Sequence, residues 1–323
     1  MKKHKALLLF SEGLDSILAG KLLQKQAIEV VALRFITPFF GWSWKGREEE
    51  FALKMAEQFG FKGIVQDITT DFLKVLEAPK HGYGSRINPC IDCRILMLKK
   101  AKALLELTRA DFLATGEVVG QRPMTQQRHM LRHIEKEAQV EGLVVRPLSA
   151  RILWETEAER RGLVRKEQFF SWAGRGRKKQ IVLARSMGLK EIPSPAGGCL
   201  LTDPHIADRI RLYLQHKDIK GLNAPVAELL TFGRHFPLPG AWLVLGRTAE
   251  ENQRLLRLVT PQDTIIKLKD LPGPTGLILG QASGKVLEEA ASLLRRYAPK
   301  ARHMSGVEVL VISGTSKRSM FRK

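Results

Sequence analysis

A single passage near the start of this chain does most to limit its fold. Residues 6–10 (ALLLF) form an unbroken apolar run, followed directly by Ser11-Glu12-Gly13-Leu14-Asp15-Ser16. A run this short and without alternation suits a strand buried on both faces. Residues 14–24 then carry Leu14, Ile17, Leu18 and Leu22 at helical spacing, so the segment between is a strand-to-helix turn. The alternation continues downstream. Strand patterns occur at 28–35, 63–67, 112–115 and 143–146, and helical ones at 48–60, with Gly60 as the stop, and at 93–107. This order implies an α/β architecture, a doubly wound parallel sheet with helices on both faces.

The pattern changes near residue 215. Beyond it lie a Gly-, Pro- and aromatic-containing segment at 232–239, strand patterns at 241–246, 265–269 and 307–313, helices at 250–258 and 285–297, and a turn (LPGPTG) at 271–276. The expected organisation is a first domain over 1–215, with a basic helical segment from about 150 to 215, and a C-terminal α+β domain over 220–323. The basic tail, 317–323, is expected to fray.

Lys and Arg number 53 against 33 Asp and Glu, a formal net charge of +20. Self-repulsion on that scale points to a polyanionic partner. Nucleic acid is preferred to anionic membrane, because no lipidation motif or strongly apolar basic helix stands out. No apolar run reaches the roughly 18 residues of a membrane helix, and the opening run is too short for a secretory signal, so a cytoplasmic protein is expected. The three cysteines, Cys90, Cys93 and Cys199, are odd in number and lack a secretory context. They argue for redox, sulfur or metal chemistry rather than a disulfide framework.

Three segments carry chemistry. In 11–16, amides at a helix N-terminus can bind phosphate oxygens, Ser11 and Ser16 add hydroxyls, and Asp15 can hold a magnesium ion. The alternative is an ordinary capped helix start. In Asn88-Pro89-Cys90-Ile91-Asp92-Cys93-Arg94, two thiols sit just ahead of a helix, where its field and Arg94 favour thiolate. Cys199 follows the turn-forming pair Gly197-Gly198. If it meets the other two, three thiolates can hold a [4Fe–4S] cluster with one open iron, or a zinc ion with one water. Alternatively Cys199 carries a persulfide that Cys93 resolves as a disulfide. Basic residues cluster again at Arg160, Arg161, Arg165, Lys166, Arg175, Arg177, Lys178 and Lys179, with Phe169, Phe170 and Trp172 interleaved, a composition suited to RNA phosphates and bases. His129 and His133 are four apart but lack an evident third ligand, and His81 and His205 stand alone.

Residues 11–16 resemble the SGGxDS loop of the N-type (PP-loop) ATP pyrophosphatases, whose fold is adenine nucleotide hydrolase-like; Glu12 stands where that family usually has glycine. NPCIDC before a helix, Thr115-Gly116-Glu117, Gly120-Gln121, Arg146-Pro147-Leu148 and a late cysteine together resemble the tRNA thiolation enzymes, the 4-thiouridine synthetases and tRNA 2-thiouridylases. Residues 220–323 resemble the NFACT-R RNA-binding domain, through WLVLGR (242–247), AEEN (249–252) and KDLPGP (269–274).

These resemblances imply ATP-dependent thiolation of a tRNA uridine, in which the uracil carbonyl is adenylated and sulfur displaces AMP. ATP and Mg2+ would be held by Ser11, Gly13, Leu14, Asp15 and Ser16, with Thr115, Gly116 and Glu117 lining the far side of the crevice. Cys93 and Cys199 would carry the sulfur chemistry with Asp15 at the phosphates, and Cys90, Cys93 and Cys199 would hold the cluster. The implied partners are tRNA and a sulfur donor, either inorganic sulfide or a sulfur-carrier protein. Three rivals remain: a persulfide enzyme without a cluster, a different adenylating enzyme such as one that amidates or forms lysidine, and a non-catalytic RNA-binding factor with a decayed ATP loop, which Glu12 favours.

Overall fold

Strand β1 (Lys5–Leu9) lies in the middle of a five-stranded parallel sheet of order β3-β2-β1-β4-β5. Its neighbours are β2 (Glu29–Ile36) and β4 (Phe112–Thr115); β3 (Lys62–Asp67) and β5 (Val144–Val145) form the edges. A computed structural model describes residues 3–189, 191–193, 198–216, 218–304, 306–314 and 316–321. It resolves two units, Met1–Thr202 and Asp203–Lys323.

The first unit is the expected α/β design, with a core on each face of the sheet. Ala6, Leu8 and Phe10 pack with α1 (Leu14–Lys25), α2 (Glu48–Phe59) and α8 (Lys178–Ser186) through Leu18, Phe51, Met55 and Ala184. Leu7 and Leu9 face the other way, onto Ile95, Leu98 and Ala101 of α4 (Cys90–Ala103) and Ile134 of α6 (Arg128–Ala138). The two-residue side-chain period of a strand thus explains why the opening run has no polar position. Helices α3 (Thr69–Glu77), α5 (Leu105–Thr108) and α7 (Glu157–Arg160) complete the unit. The helix expected over 93–107 begins earlier and breaks: Cys90 already opens α4, and after Leu104 the short α5 ends on left-handed Arg109 (φ 53°).

The second unit carries a six-stranded antiparallel-paired sheet, β11-β10-β8-β9-β7-β6. In chain order its elements are α9 (Pro204–Leu214), α10 (Ala224–Leu229), β6 (Arg234–Leu238), β7 (Ala241–Leu245), α11 (Ala249–Arg257), β8 (Thr264–Leu268), β9 (Thr275–Gly280), α12 (Gly284–Arg296), β10 (Glu308–Ser313) and β11 (Ser316–Phe321). The dividing point precedes the one read from composition, so α9 belongs here. Tyr213 packs edge-on against Trp242, and Arg209 donates to the carbonyls of Leu230, Phe232 and Gly233. Asp203 is the N-cap of α9, with Pro204 in its first turn. The tail does not fray through residue 321: it pairs with β10 as an edge strand. Strand β9 starts inside the supposed turn because Gly276 is needed there; a β-carbon would come within 2.6 Å of Ile266. Among the described residues no helix is long and apolar enough to cross a membrane.

Candidate active site

The sheet order reverses at β1, which has β2 on one side and β4 on the other. Leu9 is in register with Thr115, so the loops after β1 and β4 leave the sheet side by side at its carboxyl end. A crevice of this kind is where open α/β sheets bind ligands.

The first loop is not an ordinary cap. Gly13 is the N-cap of α1, and no side chain caps it. Ser16 is buried and its hydroxyl donates to the Gly13 carbonyl at 2.8 Å, while Ser11 is exposed and its Oγ accepts from the Gly13 amide at 3.3 Å. No side-chain oxygen caps the first turn, an arrangement able to serve an anion. Leu14 is in the core, so only its backbone can serve a ligand.

Glu12 takes the left-handed conformation, φ 62°, that a glycine would adopt without strain. Its carboxylate is clasped by Lys54 Nζ at 2.8 Å, Trp44 Nε1 at 2.8 Å and Arg34 Nε at 3.7 Å. The charge is matched by protein cations, which removes the electrostatic objection to a neighbouring phosphate. Glu12→Ala keeps the strain and loses the clasp, so it should unfold about 1–2 kcal/mol more easily than Glu12→Gly in urea titrations. Equal stabilities would refute the strain.

Asp15 accepts from Gln121 Nε2 at 2.9 Å through Oδ2, while its buried Oδ1 and the buried Oε1 of Gln121 have no hydrogen-bond partner in the protein. Burial raises the Asp15 pKa, opposed by Gln121, the charges of Arg177 and Arg122, and Gln180. Two unpaired acceptor oxygens beside a phosphate-type loop fit a hard cation such as Mg2+. Arg122 and Arg177 were not singled out as nucleotide-site residues by sequence; only the adjacency of Arg122 to Gly120-Gln121 could have marked it.

The second loop holds rather than lines. A β-carbon on Gly116 would lie 2.4 Å from the Asp15 carbonyl carbon and 2.5 Å from the Ser16 nitrogen. Backbone cannot yield as a side-chain tip can, so Gly116→Ala should cost about 3 kcal/mol and shift the denaturant midpoint accordingly. Thr115 and Glu117 are buried, contrary to the expectation that they face the crevice. Thr115 Oγ1 donates to Glu117, Arg146 bonds both Glu117 and Glu135, and Arg94 lies 3.2 Å from Glu117. Burial alone would raise Glu117, but Arg94, Arg146 and Thr115 hold its carboxyl below the usual range. The TGE, RPL and CIDCR segments thus meet in one buried ion network.

The three thiols are electrostatically coupled. Cys90 and Cys93 share the first turn of α4, and all three cysteines are free and partly buried. The Leu200 amide donates to the Phe39 carbonyl at 2.9 Å, anchoring the segment that carries Cys199 beyond left-handed Gly198 (φ 65°). Gly197, the other half of the expected glycine turn, lies outside the described residues. Burial pushes the Cys93 thiol far up, and the Cys199 and Cys90 thiolates would push it further against Arg94. Burial likewise pushes Cys199 up to about 11, helped by Cys90 and opposed by the Leu201 amide and Arg122. Arg122 therefore bears on both Asp15 and Cys199, which places the loop and the thiols in one electrostatic neighbourhood. Burial disfavours the thiolate at both Cys93 and Cys199, a cost that a bound cation would offset.

The aromatics of the basic segment are not open platforms. Phe169 is buried in the core, and Phe170 and Trp172 stack on each other at 4.3 Å while packing against it. In the second unit, Asn252 bonds Gly273 at 3.2 Å and the Thr275 amide at 2.9 Å, so this motif residue fastens the LPGPT loop to α11.

Residues 1–151 match the family model of the thiamine biosynthesis protein ThiI, and residues 233–321 match that of the NFACT protein RNA binding domain. The ThiI match spans β1 to β5 and both loops of the crevice; the NFACT match spans the sheet of the second unit, β6 to β11. Over 117 residues the chain is 31% identical to a probable tRNA sulfurtransferase of Geobacillus thermodenitrificans (strain NG80-2), covering 36% of this chain and 28% of that protein. The U34-tRNA thiolase NcsA from Methanococcus maripaludis, with its [4Fe–4S] cluster, is 19% identical, with 72% of this chain and 71% of that one covered and a TM-score of 0.36. A 4-thiouridine synthetase–RNA complex with bound ATP is 20% identical, with coverage of 71% and 52% and a TM-score of 0.36.

Proposed function

We propose that this chain is a tRNA sulfurtransferase that uses ATP to thiolate a uridine. What supports this reading is the electrostatic coupling of Cys199 with Cys90 and Cys93, together with an uncapped helix start and the match of residues 1–151 to the ThiI family model. The uracil carbonyl oxygen attacks the α-phosphate of ATP, pyrophosphate leaves, and sulfur from a sulfide or carrier-protein donor then displaces AMP. The first-turn amides of α1, with Arg122 and Arg177, bind and orient the phosphates. Asp15, through its unpaired Oδ1, would hold Mg2+. Asp15→Asn should weaken magnesium-dependent ATP binding about tenfold, ~1.4 kcal/mol by calorimetry, and unchanged binding would remove Asp15 from the site.

Cys90, Cys93 and Cys199 would hold a [4Fe–4S] cluster, which when bound supplies an iron open to sulfur. The raised thiols support the cluster over the persulfide, because a protonated thiol is a poor nucleophile and a bound cation would supply the charge that stabilises thiolate. The clasp on Glu12 takes away the main support for a decayed ATP loop. The basic charge and the NFACT domain supply the tRNA-binding surfaces in this reading, with the cytoplasm as the setting.

Anaerobic purification with iron and sulfide analysis, followed by incubation with tRNA, ATP and sulfide and mass spectrometry of the nucleosides, tests both parts. About four irons per chain and a thiouridine are expected. Thiolation by an iron-free protein would favour the persulfide, and ATP-independent tRNA binding without product would favour the non-catalytic factor.

A further inference from the structure

On the side of α4 that leads into the cysteine turn lies a second cluster that the chemistry above does not use. Sequence left His81 without a role and paired His133 with His129. The structure instead sets His133 against His81, their Nε2 atoms 3.1 Å apart and their rings edge to face. One helical turn on, Glu137 completes the group, and its carboxylate and the two imidazoles present ligand atoms all within 4.8 Å of one another. It is the one group of three such residues found among the described residues.

Asp92 orients the cluster. Its Oδ2 accepts from the His81 amide at 2.9 Å and its Oδ1 lies 2.8 Å from His81 Nδ1. A proton on Nδ1 leaves Nε2 with its lone pair aimed at His133, the tautomer a metal-bound histidine needs. His133 and Glu137 are four apart on α6 and so share a face. Two imidazoles and a carboxylate are a known zinc donor set that leaves a fourth position for water. With Asp92 the neighbourhood carries two negative charges, which a divalent cation neutralises. Lys80 Nζ now sits 2.8 Å from both oxygens of Glu137, but this lysine is exposed, and such a pair is worth too little to resist a metal ion.

We propose that His81, His133 and Glu137 bind a zinc-class divalent cation, with Asp92 as the residue that positions His81. Because Asp92 lies between Cys90 and Cys93, the ion fixes the turn that carries both thiols. This site is independent of the thiolation reading, and its test uses no activity assay.

Cobalt titration of the full chain reads it directly. Imidazole and carboxylate ligation gives cobalt d–d absorption without the sulfur-to-cobalt charge transfer of a thiolate site, so the two sites are separable in one spectrum. One cobalt per chain of the first kind is expected, displaced by zinc and retained when Cys90, Cys93 and Cys199 are all serine. His133→Ala and Glu137→Gln should abolish it, and Asp92→Asn should weaken it about 10–100-fold. Circular dichroism shows whether each variant folds; should the triple serine variant not fold, the intact chain's spectrum decides. Cobalt that binds only with sulfur charge transfer, or undiminished binding in His133→Ala, would overturn the proposal. So would imidazole NMR showing a proton shared between His81 and His133 at saturating zinc.

Discussion

Replacing Arg146 by Ala is expected to lower the unfolding free energy by about 3–5 kcal/mol, the cost of leaving buried charge unpaired. Arg146 bonds Glu117 at 3.0 Å and also bonds Glu135, and all three side chains are nearly inaccessible to water. Without the guanidinium, Glu117 keeps Arg94 and the Thr115 hydroxyl, and Glu135 loses its countercharge and its hydrogen bond to Arg146. The folded-state pKa of Glu117 is depressed, so its contribution to stability is present above the ordinary carboxylate range and is lost as pH falls through the folded value. Chemical denaturation of wild type and Arg146→Ala between neutral and acidic pH checks this. The variant should be much weaker at neutral pH, with the gap narrowing on acidification as Glu117 protonates. A gap that is small at neutral pH, or one that widens in acid, would sink the account.

Cys199→Ser should reduce thiouridine formation by about 10³-fold or more, the scale on which deleting a group at the reacting centre acts. Oxygen is a poor ligand for iron and carries no transferable sulfur, whereas the volume change is small. Stability should therefore change little, and tRNA-dependent release of pyrophosphate should continue, because the adenylating loop is built from other residues. Water would then regenerate uridine in a futile cycle. Retention of thiolation with Cys199→Ser would remove the central residue of the reading. Loss of pyrophosphate release together with thiolation would instead mark Cys199 as part of the ATP site.

The first unit could be read from sequence because its signals are local and mutually consistent. The run 6–10, the apolar spacing in α1 and the stop at Gly60 (φ 68°) each announce their element without help from distant residues. What escaped reading depends on long-range contacts. Strand β6 contains Pro237 and looks unlike a strand, yet as the last strand of its sheet it tolerates a proline. Gly276 looks like a turn residue until Ile266 is seen to occupy the space a side chain would need. The cysteine set and Asp15 were named from motif and spacing alone. Thr115 and Glu117 were read as lining the crevice, but both are buried, and nothing local reveals that Arg94 and Arg146 come to Glu117. His81 was invisible for the same reason: its partners His133 and Asp92 are remote or ambiguous in the chain.

The doubly buried β1 also dictates where this architecture can tolerate insertions. Phe10 is still core and Ser11 is already loop, so one added residue between them would shift Asp15 and Ser16 away from Gly116, against which their backbone packs. The return connection from α1 to β2 at the opposite end carries no such demand beyond left-handed Ala27 (φ 60°). Length polymorphism in proteins of this build should accordingly gather at the amino ends of the strands, while spacing at the carboxyl ends stays invariant.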